Sequence, residues 1–377
     1  MSKTLQDYAT LINDTIQSNE INHYITTDNM CQNLGGIDTF KNINIPQGKV
    51  RSFQKDDVLL SNIRLYFRKV YRAKQKGGCS SDVLVFRAKH IDSATLFAIL
   101  SSQIFTDYAC SGSQGSKMPR GNKTHMMDFK IPTINFTIAK IFNSIQNKIE
   151  NNHKINELLH KILELLYEQY FVRFDFLDEN NKPYQTSGGK MKFSKELNRL
   201  IPSGWSVRFL NHKIVSTYQP KTISKTLLND SYSYSVYGGG GIIGRFTEYN
   251  HEQSEFIISC RGQCGISYLT LPKSWITGNA MVIRPTKSYT SKTYLYHTIK
   301  KYKLTNYITG SVQPQITRQN LSTMPILIPK RKTLNKWNNI SNLLWNLIHN
   351  NMQATQTLTA LRDFLLPLLL KQQVKPK

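Results

Sequence analysis

A long amphipathic segment over residues 138–171 constrains the fold of this chain more than any other feature. Written as heptads, it keeps apolar residues at most a and d positions, with Asn152 at one a position. Ordinary helices, of about 11–12 residues, do not sustain such a pattern. The segment is therefore predicted to form one long helix with an apolar seam. The a positions are Ile138, Ile145, Asn152, Leu159 and Leu166, and the d positions are Ile141, Lys148, Ile155, Ile162 and Gln169.

The same pattern returns 199 residues later, from Ile138 to Trp337, and its apolar run extends to about residue 370. Asn351 then occupies the a position of Asn152. A lone Asn at an a position lowers stability but fixes register, so Asn152 and Asn351 are predicted to set the register of two paired helices. The alternative is two unrelated amphipathic core helices. The second set comprises Trp337, Leu344, Asn351, Leu358 and Leu365 at a, and Ile340, Leu347, Ala354, Leu361 and Leu368 at d.

Weaker matches at nearly the same spacing precede both helices, which indicates an internal duplication. The fold class is predicted to be mixed α+β, with two α/β domains that are each followed by a long helix. The clearest matches are residues 59–61 with 257–259, Gly112 with Gly310, Arg120 with Arg318, Asn122 with Asn320, and Pro132 with Pro329. The predicted division is a first domain over 1–133, a helix over 134–173, a linker over 174–201 that ends in a short helix, a second domain over 202–330 and a helix over 331–371.

Local patterns in the first domain predict helices over residues 5–16 and 93–104, and strands over residues 57–61 and 82–86. The first strand is followed by a basic segment, and the second helix by a Gly-, Ser- and Lys-rich loop over residues 111–122. The sequence thus places polar loops at the ends of apolar elements.

Net charge indicates a polyanionic partner, because 49 Lys and Arg residues outnumber 24 Asp and Glu residues to give +25. An anionic membrane is the rival partner. No apolar run reaches the ~18 residues of a spanning helix, and the first residues lack the apolar core of a signal peptide, so a cytoplasmic protein is expected. Five cysteines without zinc spacing fit a reducing compartment and predict no metal site.

Catalytic motifs are absent from the sequence. It contains no phosphate-binding GxxxxGK[ST] loop, no HExxH, no GxSxG and no Asn-Pro-Pro-aromatic or Asp-Pro-Pro-aromatic motif. The tetraglycine run over residues 238–241 looks like part of a dinucleotide fingerprint, but no recognisable helix follows it. We therefore expect no catalytic residues and no cofactor, and a binding protein rather than an enzyme.

Both halves carry Arg, Lys, amide and hydroxyl residues on segments predicted to be loops. Arg pairs with guanine and Gln or Asn with adenine in the major groove, whereas Lys and Ser suit phosphates. For any single residue, a solvated charged rim is the alternative. The candidates in the first half are Asn62, Arg64, Arg68, Lys69, Gln114, Lys117, Arg120 and Lys123, and those in the second are Arg245, Arg261, Gln263, Ser311, Gln313, Gln315 and Arg318.

Along essentially its whole length the chain resembles the specificity (S) subunits of type I restriction-modification enzymes, most specifically over residues 57–64, 80–86, 171–205 and 309–316. The resemblance implies two target-recognition domains, each reading one half of a bipartite double-stranded DNA target, and two long antiparallel coiled-coil helices. It also implies a non-catalytic subunit. One departure is that the first domain lacks a counterpart of residues 202–205, which leaves its N-terminal boundary open.

The implied partners are double-stranded DNA, two methyltransferase (M) subunits docked on the helices, and ATP-driven restriction (R) subunits recruited through them. The second helix carries few charges, which predicts that another chain covers part of it. The residues alone leave two alternatives open. One is a different two-domain DNA- or RNA-binding protein with a coiled-coil spacer, and the other is a stand-alone methyltransferase or nuclease.

Overall fold

The computed structural model describes residues 3–38, 41, 43–131, 134–229, 232–262, 264–310 and 313–369. The chain divides into two compact units. Unit 1 comprises residues 1–155 and 351–377, and unit 2 comprises residues 156–350. Both long helices contribute to both units.

Unit 1 is built around two small sheets and a set of short helices. Its strands are β1 (Ala9–Ile12), β2 (Thr15–Gln17), β3 (Tyr24–Ile25), β4 (Lys49–Phe53), β5 (Val58–Ser61), β6 (Val70–Arg72), β7 (Gly77–Cys79) and β8 (Val83–Ala88). Its helices are α1 (Leu5–Tyr8), α2 (Ser93–Leu100), α3 (Gln103–Ser111), α4 (Lys123–Met127) and the first part of α5 (Phe136–Tyr167).

The main sheet of unit 1 has the order β1-β8-β5-β6 and is antiparallel throughout. Every residue of β5 is buried, because one face packs under α2 and the other faces the second sheet, which has the order β2-β4-β7-β3. Continuous apolar runs are expected for strands covered on both faces. The strands predicted over residues 57–61 and 82–86 are thereby confirmed.

The strands of unit 2 are β9 (Met191–Ser194), β10 (Arg199–Pro202), β11 (Ser206–Phe209), β12 (Val215–Tyr218), β13 (Tyr234–Gly238), β14 (Gly241–Phe246), β15 (Phe256–Ser259), β16 (Ser267–Leu269), β17 (Trp275–Ile276), β18 (Ala280–Pro285), β19 (Ile308–Thr309), β20 (Gln315–Ile316) and β21 (Pro325–Ile328). The main sheet of unit 2 has the order β12-β18-β15-β16. In each main sheet the first, last, second and third strands along the chain are therefore neighbours in that order. The helices of unit 2 are α6 (Lys292–Lys300), α7 (Arg318–Leu321) and parts of α5 and α8 (Arg331–Leu369).

The two long helices run antiparallel within each unit. In unit 1, Arg362 Nη1 donates to Gln146 Oε1 at 3.1 Å, and Asn152 Nδ2 donates to Thr355 Oγ1 at 3.1 Å. In unit 2, the ring of Tyr167 lies 5.8 Å from that of Trp337. The same aromatic core buries His297, and this burial lowers its pKa to about 3.

The predicted a/d seam is wrong in its d positions. Ile141, Ile155 and Ile162 at d positions of α5, and Ile340, Leu347 and Leu361 at d positions of α8, are 36 to 44% exposed. The buried stripe instead includes polar residues such as Gln146, Ser341 and Arg362, which a search for apolar residues alone passes over. Asn152 is fully buried but Asn351 only half-buried, so their settings differ. A register role for both stays a prediction.

Three local predictions are also wrong. The helix expected over residues 5–16 ends at Tyr8, because the following residues pair with β8. The helix expected over residues 93–104 breaks after Leu100, and Ser102 caps the start of α3. The segment over 174–201 ends in the hairpin β9–β10 rather than in a short helix.

The tetraglycine run forms the turn of the β13–β14 hairpin, with Gly238 paired to Gly241. This geometry differs from the strand-to-helix turn that binds dinucleotides. In the part of the chain that the structure describes, no helix is long and apolar enough to cross a membrane. The same residues include no group of three or more His, Cys, Asp and Glu side chains arranged to hold a metal ion.

Candidate nucleic-acid interface

Two loops of unit 1 are fastened to each other by backbone pairing. One follows β5 over residues 62–69, and the other joins α3 to α4 over residues 112–122. Arg120 forms bridges to both Ile63 and Gln114, and the Arg64 N–H donates to the Pro119 carbonyl at 2.9 Å. Gly121 allows this close approach, because a Cβ there would lie 2.8 Å from Leu65 Cδ1 and 3.0 Å from Asn62 Oδ1 in the facing loop. We refer to these segments as loop pair 1.

Loop pair 1 presents polar and basic side chains to solvent. Gln114, Lys117 and Arg120 are exposed, as the sequence predicts for a binding surface, and so is Lys123, which follows loop pair 1 at the start of α4. Arg120 also forms an ion pair with Asp82 at 3.0 Å, which restrains its guanidinium without burying it. The Arg64 guanidinium is half-buried and lies 6.0 Å from the ring centroid of Phe67. Arginines held in this way keep donors available for a ligand.

Three other candidates of unit 1 are turned into the protein. Arg68 Nη2 donates to the Ser101 carbonyl at 2.9 Å, and Lys69 Nζ donates to the Thr27 carbonyl at 2.6 Å. Burial lowers the pKa of both Arg68 and Lys69. Asn62, the first residue of loop pair 1, is also buried. The geometry therefore gives these side chains a scaffolding role rather than direct contact with a ligand.

Two exposed residues of loop pair 1 are not among the candidate site residues predicted from the sequence. Tyr66 and Met118 are both more than half exposed beside Arg64 and Lys117. Aromatic residues and Met are enriched in protein interfaces, whereas single exposed apolar side chains also occur on ordinary surfaces. The signal available in the sequence was their position within basic loops, but a sequence does not show which aromatic residues stay outside the core.

Unit 2 contains a second fastened pair of loops. The segment after β15 meets the β19–β20 segment, where Gln315 bridges both Thr309 and Arg261. Cys264 Sγ, which donates to the Pro314 carbonyl at 3.1 Å, adds a further link. We refer to residues 260–266 and 309–318, where described, as loop pair 2.

The pairing also corrects the predicted match of Arg120 with Arg318. Gln315, not Arg318, makes the two bridges that Arg120 makes in unit 1. Arg318 instead begins α7, as Lys123 begins α4. The spacing changes because a short 3-10 turn over Leu304–Tyr307 precedes the loop in unit 2, whereas the nine-residue helix α3 precedes it in unit 1.

Loop pair 2 exposes Arg261, Gln313, Gln315 and Arg318. Arg245, on β14, is half-buried, and its guanidinium donates to the Ser233 carbonyl. Gln263 and Ser311 lie outside the described residues. Burial raises the pKa of the Cys260 thiol, which keeps this residue protonated and unreactive at neutral pH.

The tetraglycine turn lies against loop pair 2. A Cβ on Gly239 would approach the Arg261 carbonyl to 2.8 Å, so only glycine permits this contact. Both loop pairs thus offer exposed guanidinium and amide groups on a backbone that is fixed by hydrogen bonds. Such groups can read base edges in the major groove, and the adjacent lysines can neutralise phosphates.

The chain is similar to known proteins in both sequence and fold. Residues 202–355 match the family model of the type I restriction modification DNA specificity domain. The chain is also 22% identical, over 312 residues, to the type I restriction enzyme MjaIX specificity subunit of Methanocaldococcus jannaschii; the alignment covers 73% of this chain and 67% of that protein. The resemblance to type I specificity subunits is confirmed.

The fold agrees with that of a solved specificity subunit. The crystal structure of the type I restriction-modification system S subunit from M. genitalium matches 99% of this chain and 96% of that chain, with a TM-score of 0.64. The two sequences are 14% identical, so this match concerns the fold alone. The predicted mixed α/β class is confirmed in this sense.

The contrast between Arg68 and Arg120 gives the first prediction. Arg68→Ala should lower the free energy of unfolding by about 1–3 kcal/mol, because it leaves the buried Ser101 carbonyl without its donor. Arg120→Ala should change stability by less than about 0.5 kcal/mol but weaken binding to duplex DNA. Chemical denaturation and DNA titration of the full chain measure the two effects. Equal losses of stability in both variants would contradict this division of roles.

Proposed function

We propose that this chain is the non-catalytic specificity subunit of a type I restriction-modification complex and binds a bipartite double-stranded DNA sequence. Each unit serves as a target-recognition domain that reads one half of the target. The supporting observation is that both units fasten two loops by the same pair of bridges, centred on Arg120 in one and Gln315 in the other. The equal strand order of the two main sheets favours an internal duplication.

The equivalent positions of Arg120 and Gln315 suggest different base preferences. A guanidinium suits the O6 and N7 acceptors of guanine, whereas a side-chain amide suits N7 and the amino group of adenine. We therefore propose a guanine contact for unit 1 and an adenine contact for unit 2. The remaining exposed candidates, Gln114, Lys117, Lys123, Arg261, Gln313 and Arg318, would add base or phosphate contacts around them.

The long helices are proposed to form an antiparallel coiled coil that docks two M subunits, through which R subunits are recruited. In unit 2, Leu158 of α5 and Leu343 of α8 are each 60% exposed, and Leu165 and Leu347 are also exposed. In unit 1, Phe364 is exposed as well. Apolar residues repeated along a helix surface favour burial against another chain. The misassigned d positions belong to this same exposed set.

The half-site reading can be tested with selected duplex libraries and the complex of this chain with its M subunits. Arg120→Ala should relax the preference at one base pair in one half by about 1–3 kcal/mol, and Gln315→Ala should do so only in the other half. Arg173→Ala, at an exposed arginine outside both loop pairs, is the matched control and should change neither half. Relaxation in both halves by one variant, uniform weakening on all sequences, or a preference for RNA would contradict the proposal.

Helix docking has its own test. The double variant Leu158→Ser/Leu343→Ser should reduce the fraction of chain that co-purifies with M subunits at least tenfold, because two exposed apolar anchors are lost. The control Leu200→Ser, on β10, removes an equally exposed leucine that does not lie on either helix. An unchanged ratio of M subunit to chain in the double variant would show that the helices dock their partner elsewhere.

A further inference from the structure

A group of basic side chains in unit 2 lies outside both loop pairs. Arg208, His212, Lys213 and Lys287, which we call the basic cluster, line a cavity of about 580 Å³. All four side chains are exposed, and no acidic residue is among those that line the cavity. At least three formal positive charges thus face one open space without a carboxylate beside them.

Hydrogen bonds hold the backbone under the basic cluster. The Thr286 hydroxyl donates to the Lys213 carbonyl at 3.1 Å, and the Tyr289 hydroxyl donates to the same oxygen at 3.3 Å. The Thr286 N–H donates to the Ile214 carbonyl at 2.9 Å. The turn that carries Lys213 is therefore fastened to the loop that carries Lys287. A preformed backbone lowers the entropy that binding would cost.

Other basic residues of unit 2 form ion pairs with carboxylates, in contrast to the described members of the basic cluster. Arg284, the nearest arginine in sequence to Lys287, pairs with Glu255 at 2.7 Å, and Lys300 pairs with Glu164 at 2.6 Å. Among the residues that the structure describes, no salt bridge includes a member of the basic cluster. Its cations are available to a ligand that brings its own negative charges.

The basic cluster lies at the opposite end of β18 from loop pair 2. At one end of the strand, Ala280 pairs with Ser259, two residues before Arg261. At the other end, Pro285 pairs with Val215, two residues after Lys213. Five residue steps of strand span about 17 Å. This is close to half of the roughly 34 Å turn of B-DNA, so one duplex is long enough to reach both places.

We propose that the basic cluster binds backbone phosphates of double-stranded DNA independently of sequence. The four exposed side chains come from β11 and two turns around one open cavity, and a duplex can present several backbone phosphates to such a surface. Lys and Arg on an open surface make such contacts without reading bases. The inference shares its partner with the proposed function but assigns residues that take no part in recognising the target.

The test uses the full chain, a 40-base-pair duplex of random sequence and a duplex selected for tight binding, each titrated at several salt concentrations. In a plot of the logarithm of the DNA association constant against the logarithm of salt concentration, each phosphate contact contributes about 0.9 to the magnitude of the slope. The triple variant Arg208→Gln/Lys213→Gln/Lys287→Gln should therefore reduce that magnitude by about 2 to 3 on both duplexes. The control Lys195→Gln/Lys221→Gln/Lys273→Gln removes the same charge at exposed positions and should change the slope by less than about 1. Thermal unfolding verifies that both proteins remain folded.

An unchanged slope in the triple variant, or a change no larger than in the control, would overturn the proposal. So would a loss confined to the selected duplex, which would make the basic cluster part of sequence recognition, or a larger loss on duplex RNA than on DNA. Failure of the proposed function appears differently, because the unaltered chain would then bind the random and the selected duplex equally. The slope of the triple variant can still be compared with its control in that case.

Discussion

Backbone pairing between two loops positions every exposed candidate residue in loop pairs 1 and 2. In unit 1 it fixes Arg120 between Ile63 and Gln114, and in unit 2 it fixes Gln315 between Arg261 and Thr309. Main-chain hydrogen bonds of this kind do not depend on side-chain identity. The side chains on the two loop pairs can therefore be replaced by others that read different bases while the loops keep their shape. This property suits a subunit whose target is set by a few side chains.

The second constraint is the burial of polar groups between the long helices of unit 1. Gln146 accepts from Arg362 and donates to the Leu34 carbonyl at 2.7 Å, and Glu150 forms an ion pair with Lys74 at 3.3 Å. A buried network of this type is costly when one member is lost, so it restricts how the helices can slide. Polar groups occupy part of the buried stripe, while several leucines and isoleucines of the two helices lie on the outer faces.

The sequence predicted the long helices, the two strands β5 and β8 and the basic loops, because each depends on a run of residues of one kind. It failed where the outcome depends on packing or on length. The apolar seam was misplaced because the polar residues Gln146 and Arg362 are buried between the helices. Arg318 was matched to Arg120 because unit 2 has a short 3-10 turn where unit 1 has α3, which shifts the spacing of the loops. Arg68 has a left-handed backbone with φ of 49°, and its side chain reaches the Ser101 carbonyl inside the protein. No local pattern of basic residues reveals that direction.

The central claim is that one chain reads two separate half-sites. The most direct measurement is to express the chain with its M subunits in cells that lack other DNA methylation and to sequence the methylated positions. We predict a single motif made of two short defined blocks separated by a fixed number of unspecified base pairs. A continuous motif, or methylation without sequence preference, would contradict the account.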